Sequence, residues 1–215
     1  MSKLSLIQAD ITQLKVDAIV NAAHEALMGG GGVDGAIHRA AGPELLRACR
    51  DIPINSSGVR CNAGEAHVTP GFRLLAKYVI HTVSPRFVGS AQRKVRRVEQ
   101  GSGLLVYNNV HPGTEEDLAR CYASCLGLAQ KNGCKSIAFP SLGTGGHGWP
   151  IEVAAPIAIK TVREWMKSGT MDCVYLVAFL DHDFETYKKA MEINQLPVDC
   201  GNKLVDLPPL PDCLK

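Results

Sequence analysis

Residues 18–38 read Ala18-Ile19-Val20-Asn21-Ala22-Ala23-His24-Glu25-Ala26-Leu27-Met28-Gly29-Gly30-Gly31-Gly32-Val33-Asp34-Gly35-Ala36-Ile37-His38. An apolar strand ends in a polar amide, Asn21. A short loop leads to four glycines, and a lone acid, Asp34, follows them. Glycine has no Cβ and accepts positive φ, so a ligand can lie close against such a backbone. N–H groups exposed there can cradle phosphate oxygens, above all where the run opens a helix. An acid just beyond can act on a water or a bond beside that phosphate. The alternative is a flexible surface loop, which the ordered apolar patterns on both sides disfavour.

A second loop of the same kind lies far along the chain. The apolar run Ile137-Ala138-Phe139-Pro140 leads into Ser141-Leu142-Gly143-Thr144-Gly145-Gly146-His147-Gly148, and Trp149-Pro150 then opens a helical stretch. Proline near the first helical position is a start signal. Both loops follow a strand and precede a helix. In an open α/β sheet they meet at the carboxyl ends of the strands and can clasp a diphosphate from two sides. Neither matches the nucleoside-triphosphate loop or the dinucleotide fingerprint. Neither holds a lysine, which points to binding a diphosphate rather than to phosphoryl transfer.

Strand patterns fall at 4–8, 17–21, 65–69, 76–83, 135–140 and 172–180, and helical ones at 33–41, 43–50, 115–131, 151–167 and 182–191. Continuous apolar runs such as Val174-Tyr175-Leu176-Val177-Ala178-Phe179-Leu180 mark strands buried on both faces. Thr114 with Asp117 marks a helix start, and Gly133 follows its end. The alternation predicts an α/β domain with helices on both faces of a sheet. A length of 215 residues suits one such domain. The reading is a domain over 1–192 with a basic insertion at 86–113, then an extended proline-bearing tail at 193–215. The insertion carries Arg86, Arg93, Lys94, Arg96 and Arg97. It reads as a solvated loop, with nucleic-acid contact as the lesser alternative.

A net charge of +2 implies no global polyanion partner. No run of 18 apolar residues exists, so no membrane partner is expected. Met1-Ser2-Lys3 passes straight into a strand pattern, and no signal peptide is expected. Of eight cysteines, Cys121 and Cys125 are spaced as half of a metal site. They also share an apolar helical stripe with Leu118, Tyr122 and Leu128, which favours a core role. Free thiols in an intracellular compartment, cytoplasmic or nuclear, are the expectation.

Four blocks, in order, resemble macrodomains of the MacroD type. They are Ala9-Asp10-Ile11-Thr12; Asn21-Ala22-Ala23 with Leu27, the glycines, Val33-Asp34 and Ile37-His38; Val79-Ile80-His81-Thr82-Val83-Ser84-Pro85; and Phe139-Pro140-Ser141-Leu142-Gly143-Thr144-Gly145. The match covers roughly residues 4–190. The resemblance implies a three-layer α/β/α sandwich with a mixed central sheet, ADP-ribose as ligand, and no cofactor. It implies hydrolysis of mono-ADP-ribose esters on acidic protein side chains and deacetylation of O-acetyl-ADP-ribose. The rival is a non-catalytic ADP-ribose reader.

The resemblance also assigns roles. Asp10, with the Ile11 backbone beside it, accepts from the adenine amino group; a turn cap is the alternative. Phe179 stacks on adenine; a buried core residue is the alternative. The diphosphate lies between Gly30, Gly31, Gly32 and Val33 on one side and Ser141, Leu142, Gly143, Thr144, Gly145, Gly146 and His147 on the other. Asn21 bonds the distal ribose hydroxyls, and Asp34 polarises a water or orients the ribose. Two residues depart from the pattern. His24 stands where the family has a second catalytic-site asparagine, and His147 where it has an aromatic residue. The catalytic set is Asp34, Asn21 and His24. The histidines suggest no metal site, because no third ligand is evident beside Asp34. His38 and His81 read as structural, and His67, His111 and His182 carry no signal.

Overall fold

Side chains alternate along the strands and sort the core of this computed structural model into two layers. Residues 3–87, 113–167 and 170–193 and the backbone of Cys200–Gly201 are described. The elements are β1 (Lys3–Gln8), a 3-10 turn (Ile11–Gln13), β2 (Ala18–Ala22), α1 (Gly32–Ala41), α2 (Pro43–Asp51), β3 (Ala66–Pro70) and β4 (Tyr78–Thr82). There follow α3 (Glu115–Lys131), β5 (Ser136–Pro140), α4 (Ile151–Met166), β6 (Cys173–Ala178), α5 (Asp181–Ile193) and β7 (Cys200–Gly201). Ala18, Val20, Ile137 and Phe139 pack against α3, α4 and α5, with Leu118, Tyr122, Ala155, Ile159 and Tyr187 among their neighbours. Ile19, Val79 and Ala138 face the other way, onto Ile37 of α1 and Leu45 and Cys49 of α2. The result is a three-layer α/β/α sandwich.

The sheet runs β3-β4-β2-β5-β6-β1-β7. Only the β3–β4 pair is antiparallel, so the sheet is mixed, as expected. Cys121 and Cys125 are fully buried in the core, where the apolar stripe placed them. The capping box at Thr114 and Asp117 opens α3, and Pro150 caps α4. The 3-10 turn and β7 escaped the sequence reading. β7 pairs with β1 through Leu6 and Ile7. Of the basic insertion, residues 88–112 lie outside the described residues, as does most of the tail.

At the amino ends of the strands a buried carboxylate staples the sheet. Asp17 Oδ2 accepts from the Lys135 and Ser136 amides at 2.9 and 3.0 Å and from Ser136 Oγ at 3.0 Å. Lys77 Nζ lies 2.6 Å from its other oxygen. The entries to β2 and β5 are thereby locked together, leaving the opposite edge to carry the loops.

Candidate active site

β2, β5, β6 and β1 are consecutive in the sheet and parallel, so their carboxyl ends share one edge. That edge brings together Asp10, the loop from Ala23 to Gly31, the loop from Ser141 to Trp149, and Phe179. Ligands of open α/β sheets bind at such an edge.

Asp34 lies in the first turn of α1, where the helix dipole favours a negative charge. It is 5% exposed. Its Oδ1 accepts from Asn21 Nδ2 at 2.8 Å and lies 3.4 Å from His38 Nε2, one helical turn on. A Cβ on Gly30 would come 3.1 Å from Asp34 Oδ2, so the second oxygen faces the glycine loop. A Cβ on Gly35 would strike the Gly30 carbonyl, so glycine at 35 lets that loop fold back over the helix. A Cβ on Gly31, Gly145 or Gly146 would meet nothing. The space over both loops is open, and nothing in the protein's own packing calls for glycine at Gly31, Gly145 or Gly146.

Asn21 differs from expectation. It has no exposed surface, and its amide nitrogen is held by Asp34 and by His81 Nδ1 at 3.1 Å. In this arrangement the amide nitrogen braces Asp34, and only the amide oxygen is left without a protein partner among the described residues. The network continues from His81 Nε2 to Thr69 Oγ1 at 2.9 Å, and from Thr69 to the Val79 carbonyl at 3.5 Å. Asn21 Oδ1 and His38 Nε2 are buried without hydrogen-bond partners among the described residues. Buried polar atoms ordinarily have one, and these two sit beside the carboxylate. Burial pushes the His81 imidazole down to about 3, and the charges of His38 and His67 add to the effect.

The structure does not bring His24 into this network. It is exposed on the loop, where its Nδ1 accepts from the Ala26 amide at 3.3 Å. Its place in the catalytic set with Asp34 and Asn21 therefore rests on the resemblance alone, and among the described residues no contact to either supports it. The same loop holds Leu27, buried at φ 54°. A left-handed leucine costs about 1–3 kcal/mol and persists only where its surroundings over-determine it. Here the Glu25 carbonyl accepts from the Arg60 and Cys61 amides at 3.0 and 3.1 Å, and Leu27 N donates to the His24 carbonyl at 2.8 Å.

His147 is half-buried. Its Nδ1 is 2.7 Å from Ser84 Oγ, and its carbonyl accepts from Phe87 N at 2.8 Å. Burial lowers its pKa, and Arg86 and His24 act in the same direction, against Ser84 and Glu25. Trp149, read from sequence only as a helix opening, anchors this loop. Its Nε1 donates to the Pro85 carbonyl at 2.8 Å, and its ring packs at a tilt against Phe87, centroids 5.1 Å apart.

Asp10 takes the role of a cap. Its Oδ1 accepts from Thr12 N at 2.9 Å and Thr12 Oγ1 at 2.8 Å. Its Oδ2 carries no hydrogen bond among the described residues. Phe179 is 71% exposed at the end of β6, which removes the core alternative. Ile11 and Leu142 are buried, whereas Gly145 and Gly146 are open to solvent. His38, read as structural, lies one helical turn from Asp34 and within 3.4 Å of it, a neighbour its spacing of four on one helix makes legible. No group of three or more His, Cys, Asp or Glu among the described residues is arranged to hold a metal.

The family model for the Macro domain matches residues 20–103 and 102–158. The mouse protein named ADP-ribose glycohydrolase MACROD2 is 44% identical over 206 residues, 95% of this chain and 38% of that protein. A macro domain-containing protein of Chlorobaculum tepidum is 47% identical over 186 residues, 86% of this chain and 93% of that one. The Oceanobacillus iheyensis macrodomain with ADP superposes with a TM-score of 0.74 at 37% identity, covering 88% of this chain and 91% of that one. The Trypanosoma brucei macrodomain in complex with ADP-ribose gives 0.70 at 36% identity, covering 87% and 68%. The chain spans about two fifths of the mouse, frog and human MACROD2 relatives, at 38%, 42% and 39% of their lengths.

Proposed function

The chain belongs to the macrodomain family, and from that premise we propose that it binds ADP-ribose and hydrolyses mono-ADP-ribose esters on acidic side chains of modified proteins. O-acetyl-ADP-ribose, whose acyl ester is of the same chemical kind, is the second substrate. The relatives named as glycohydrolases and the neighbours holding ADP or ADP-ribose support this reading. The six unpaired cysteines among the described residues support a reducing compartment.

The ligand lies along the edge of the sheet. Adenine stacks on exposed Phe179, with Asp10 Oδ2 accepting from its amino group. The diphosphate rests between Gly30–Val33 and the loop from Ser141 to Gly148, where backbone N–H groups supply the donors. The distal ribose then falls near the start of α1, beside Asp34. Ester hydrolysis there requires a placed water and stabilisation of the developing charge. Asp34 Oδ2, turned to the glycine loop, accepts a hydrogen bond from that water and orients it.

One observation carries the hydrolase over the reader: a nearly buried carboxylate braced by Asn21 at 2.8 Å beside an open glycine loop. An acid held so firmly beside the place of the distal ribose is suited to orienting a water. The reader draws on His24, which stands outside the network. A turnover assay on a protein carrying glutamate-linked ADP-ribose tests the proposal. Release of free ADP-ribose, lost in Asp34→Ala, is expected. Tight ADP-ribose binding with no release at any pH overturns hydrolysis and leaves the reader.

A further inference from the structure

A carboxylate can only accept hydrogen bonds, so the Asn21 atom 2.8 Å from Asp34 Oδ1 is its amide nitrogen. The same nitrogen lies 3.1 Å from His81 Nδ1. That ring nitrogen must present a lone pair, which puts the imidazole proton on Nε2. Nε2–H then donates to Thr69 Oγ1 at 2.9 Å, and the Thr69 hydroxyl donates to the Val79 carbonyl. The sequence of donors ends on a backbone carbonyl inside the sheet. We propose that His81, as a neutral Nε2–H imidazole, is a positioning residue that fixes the Asn21 amide and through it aims Asp34 at the glycine loop. This rests on the reading of Asp34 as the acid of an ester hydrolase.

Other observations bear on it independently. Asn21 and His81 are register partners on neighbouring parallel strands, and Thr69 is a diagonal neighbour of His81 across the β3–β4 pair. The arrangement is therefore built on strands, which hold a group more firmly than loops do. His81 has no exposed surface. Its remaining close polar neighbour, Cys49 Sγ at 3.7 Å from Nε2, is a weak partner. A protonated ring would make both nitrogens donors. Asn21 would then have to turn its oxygen to His81, and that oxygen would also face the Asp34 carboxylate. Neutral His81 is the state compatible with a braced, ionised Asp34, and its lowered pKa keeps it there.

The test compares the parent with His81→Leu, His81→Gln and Thr69→Val. Three quantities are read: turnover on glutamate-linked ADP-ribose, ADP-ribose affinity by calorimetry, and hydrogen exchange of the Asn21 side-chain amide by NMR. His81→Leu should lower kcat by about 2- to 10-fold, the worth of one hydrogen bond between neutral groups. Its affinity should be unchanged, and protection of the Asn21 amide protons should be lost. His81→Gln can accept from Asn21 through Oε1 and donate to Thr69 through Nε2, so it should recover most of both losses. Thr69→Val should fall between. Parent-like kcat and Asn21 protection in His81→Leu overturn the inference. Should that variant not fold, a folded His81→Gln and Thr69→Val that both lose Asn21 protection without loss of kcat overturn it equally. A parent without turnover removes the hydrolase reading and with it the catalytic purpose of His81. Asn21 protection and the proton on His81 Nε2, read from its nitrogen shifts, then show whether the brace itself exists.

Discussion

Asn21 is wholly buried, yet its amide nitrogen holds Asp34 Oδ1 at 2.8 Å, joining the end of β2 to the first turn of α1. The residue that looks from sequence like a ligand contact also braces the acid. Asn21→Ala should therefore lower kcat and thermal stability together, by about 1.5–3 kcal/mol for a lost hydrogen bond to a charged group. ADP-ribose affinity should move least. A variant that keeps kcat and loses affinity would return Asn21 to the ribose.

Phe179 should separate binding from folding. It is 71% exposed, so Phe179→Ala removes no core contact and should leave thermal unfolding unchanged. Stacking an aromatic ring on a base is worth about 1–3 kcal/mol. ADP-ribose affinity should fall about 10- to 100-fold, while that for ribose 5-phosphate, which has no base, should not change. Equal losses for both ligands would mean that Phe179 shapes the edge and does not stack.

Asp17 predicts an acid limb of stability unrelated to the site. Burial pushes its carboxyl up, but hydrogen bonds from Lys77, Lys135 and Ser136 outweigh that and leave it below the usual range. A depressed folded value means the contribution is full above the unfolded pKa of about 3.9 and is lost as pH falls through the folded one. Asp17→Asn should cost about 1.5–3 kcal/mol at neutral pH. It should also flatten the fall below about pH 4. Urea unfolding at pH 7 and pH 3 measures both; an unchanged slope in the variant would deny the staple.

Which parts could be read beforehand follows from how far each signal reaches along the chain. The glycine loops, the capping box at Thr114 and the runs at 135–140 and 172–180 are local patterns, and the structure has them within a few residues. Asn21's burial was not local. It depends on β2 lying beside β4, which places His81 next to Asn21 in register. Strand order is set by packing of both helical layers, and no stretch of sequence states it. Phe179 stands next to last in an apolar run in which every residue reads as core; only the end of β6 at Ala178 decides that it emerges. The strain at Leu27 was hidden because leucine ordinarily signals a helix or a core, not a left-handed turn. β7 is two residues in a proline-bearing tail with no period.

The roots of the basic insertion touch the site although residues 88–112 lie outside the described residues. Phe87 bridges to Gly113, packs at a tilt against Trp149 and donates to the His147 carbonyl. Replacing residues 88–112 by a short linker should keep ADP-ribose affinity, because the two roots already meet. Phe87→Ala should weaken it, by freeing the loop that cradles the diphosphate. Calorimetry on both variants decides; loss of binding in the folded linker variant would show that the insertion itself reaches the ligand.

His147 supplies the pH test nearest the ligand. Its pKa is lowered, by burial first, so it is neutral at pH 7 and takes its proton below the ordinary value of about 6.5. The unfolded chain binds the proton first as pH falls, so the folded state loses stability from about pH 6.5 down to the folded value and levels off beneath it. Tyrosine does not titrate there, and His147→Tyr should remove that part of the loss. His81 contributes a similar fall that extends to about pH 3, and His147→Tyr should leave it in place. Denaturant unfolding at pH 7.5 and 5.5 should show a smaller drop for His147→Tyr than for the parent. Turnover by the parent should be flat above pH 7 on this residue's account and change below about pH 6.5. An equal drop in stability for both proteins, with an unchanged pH–rate profile in the variant, would make His147 a bystander held by Ser84.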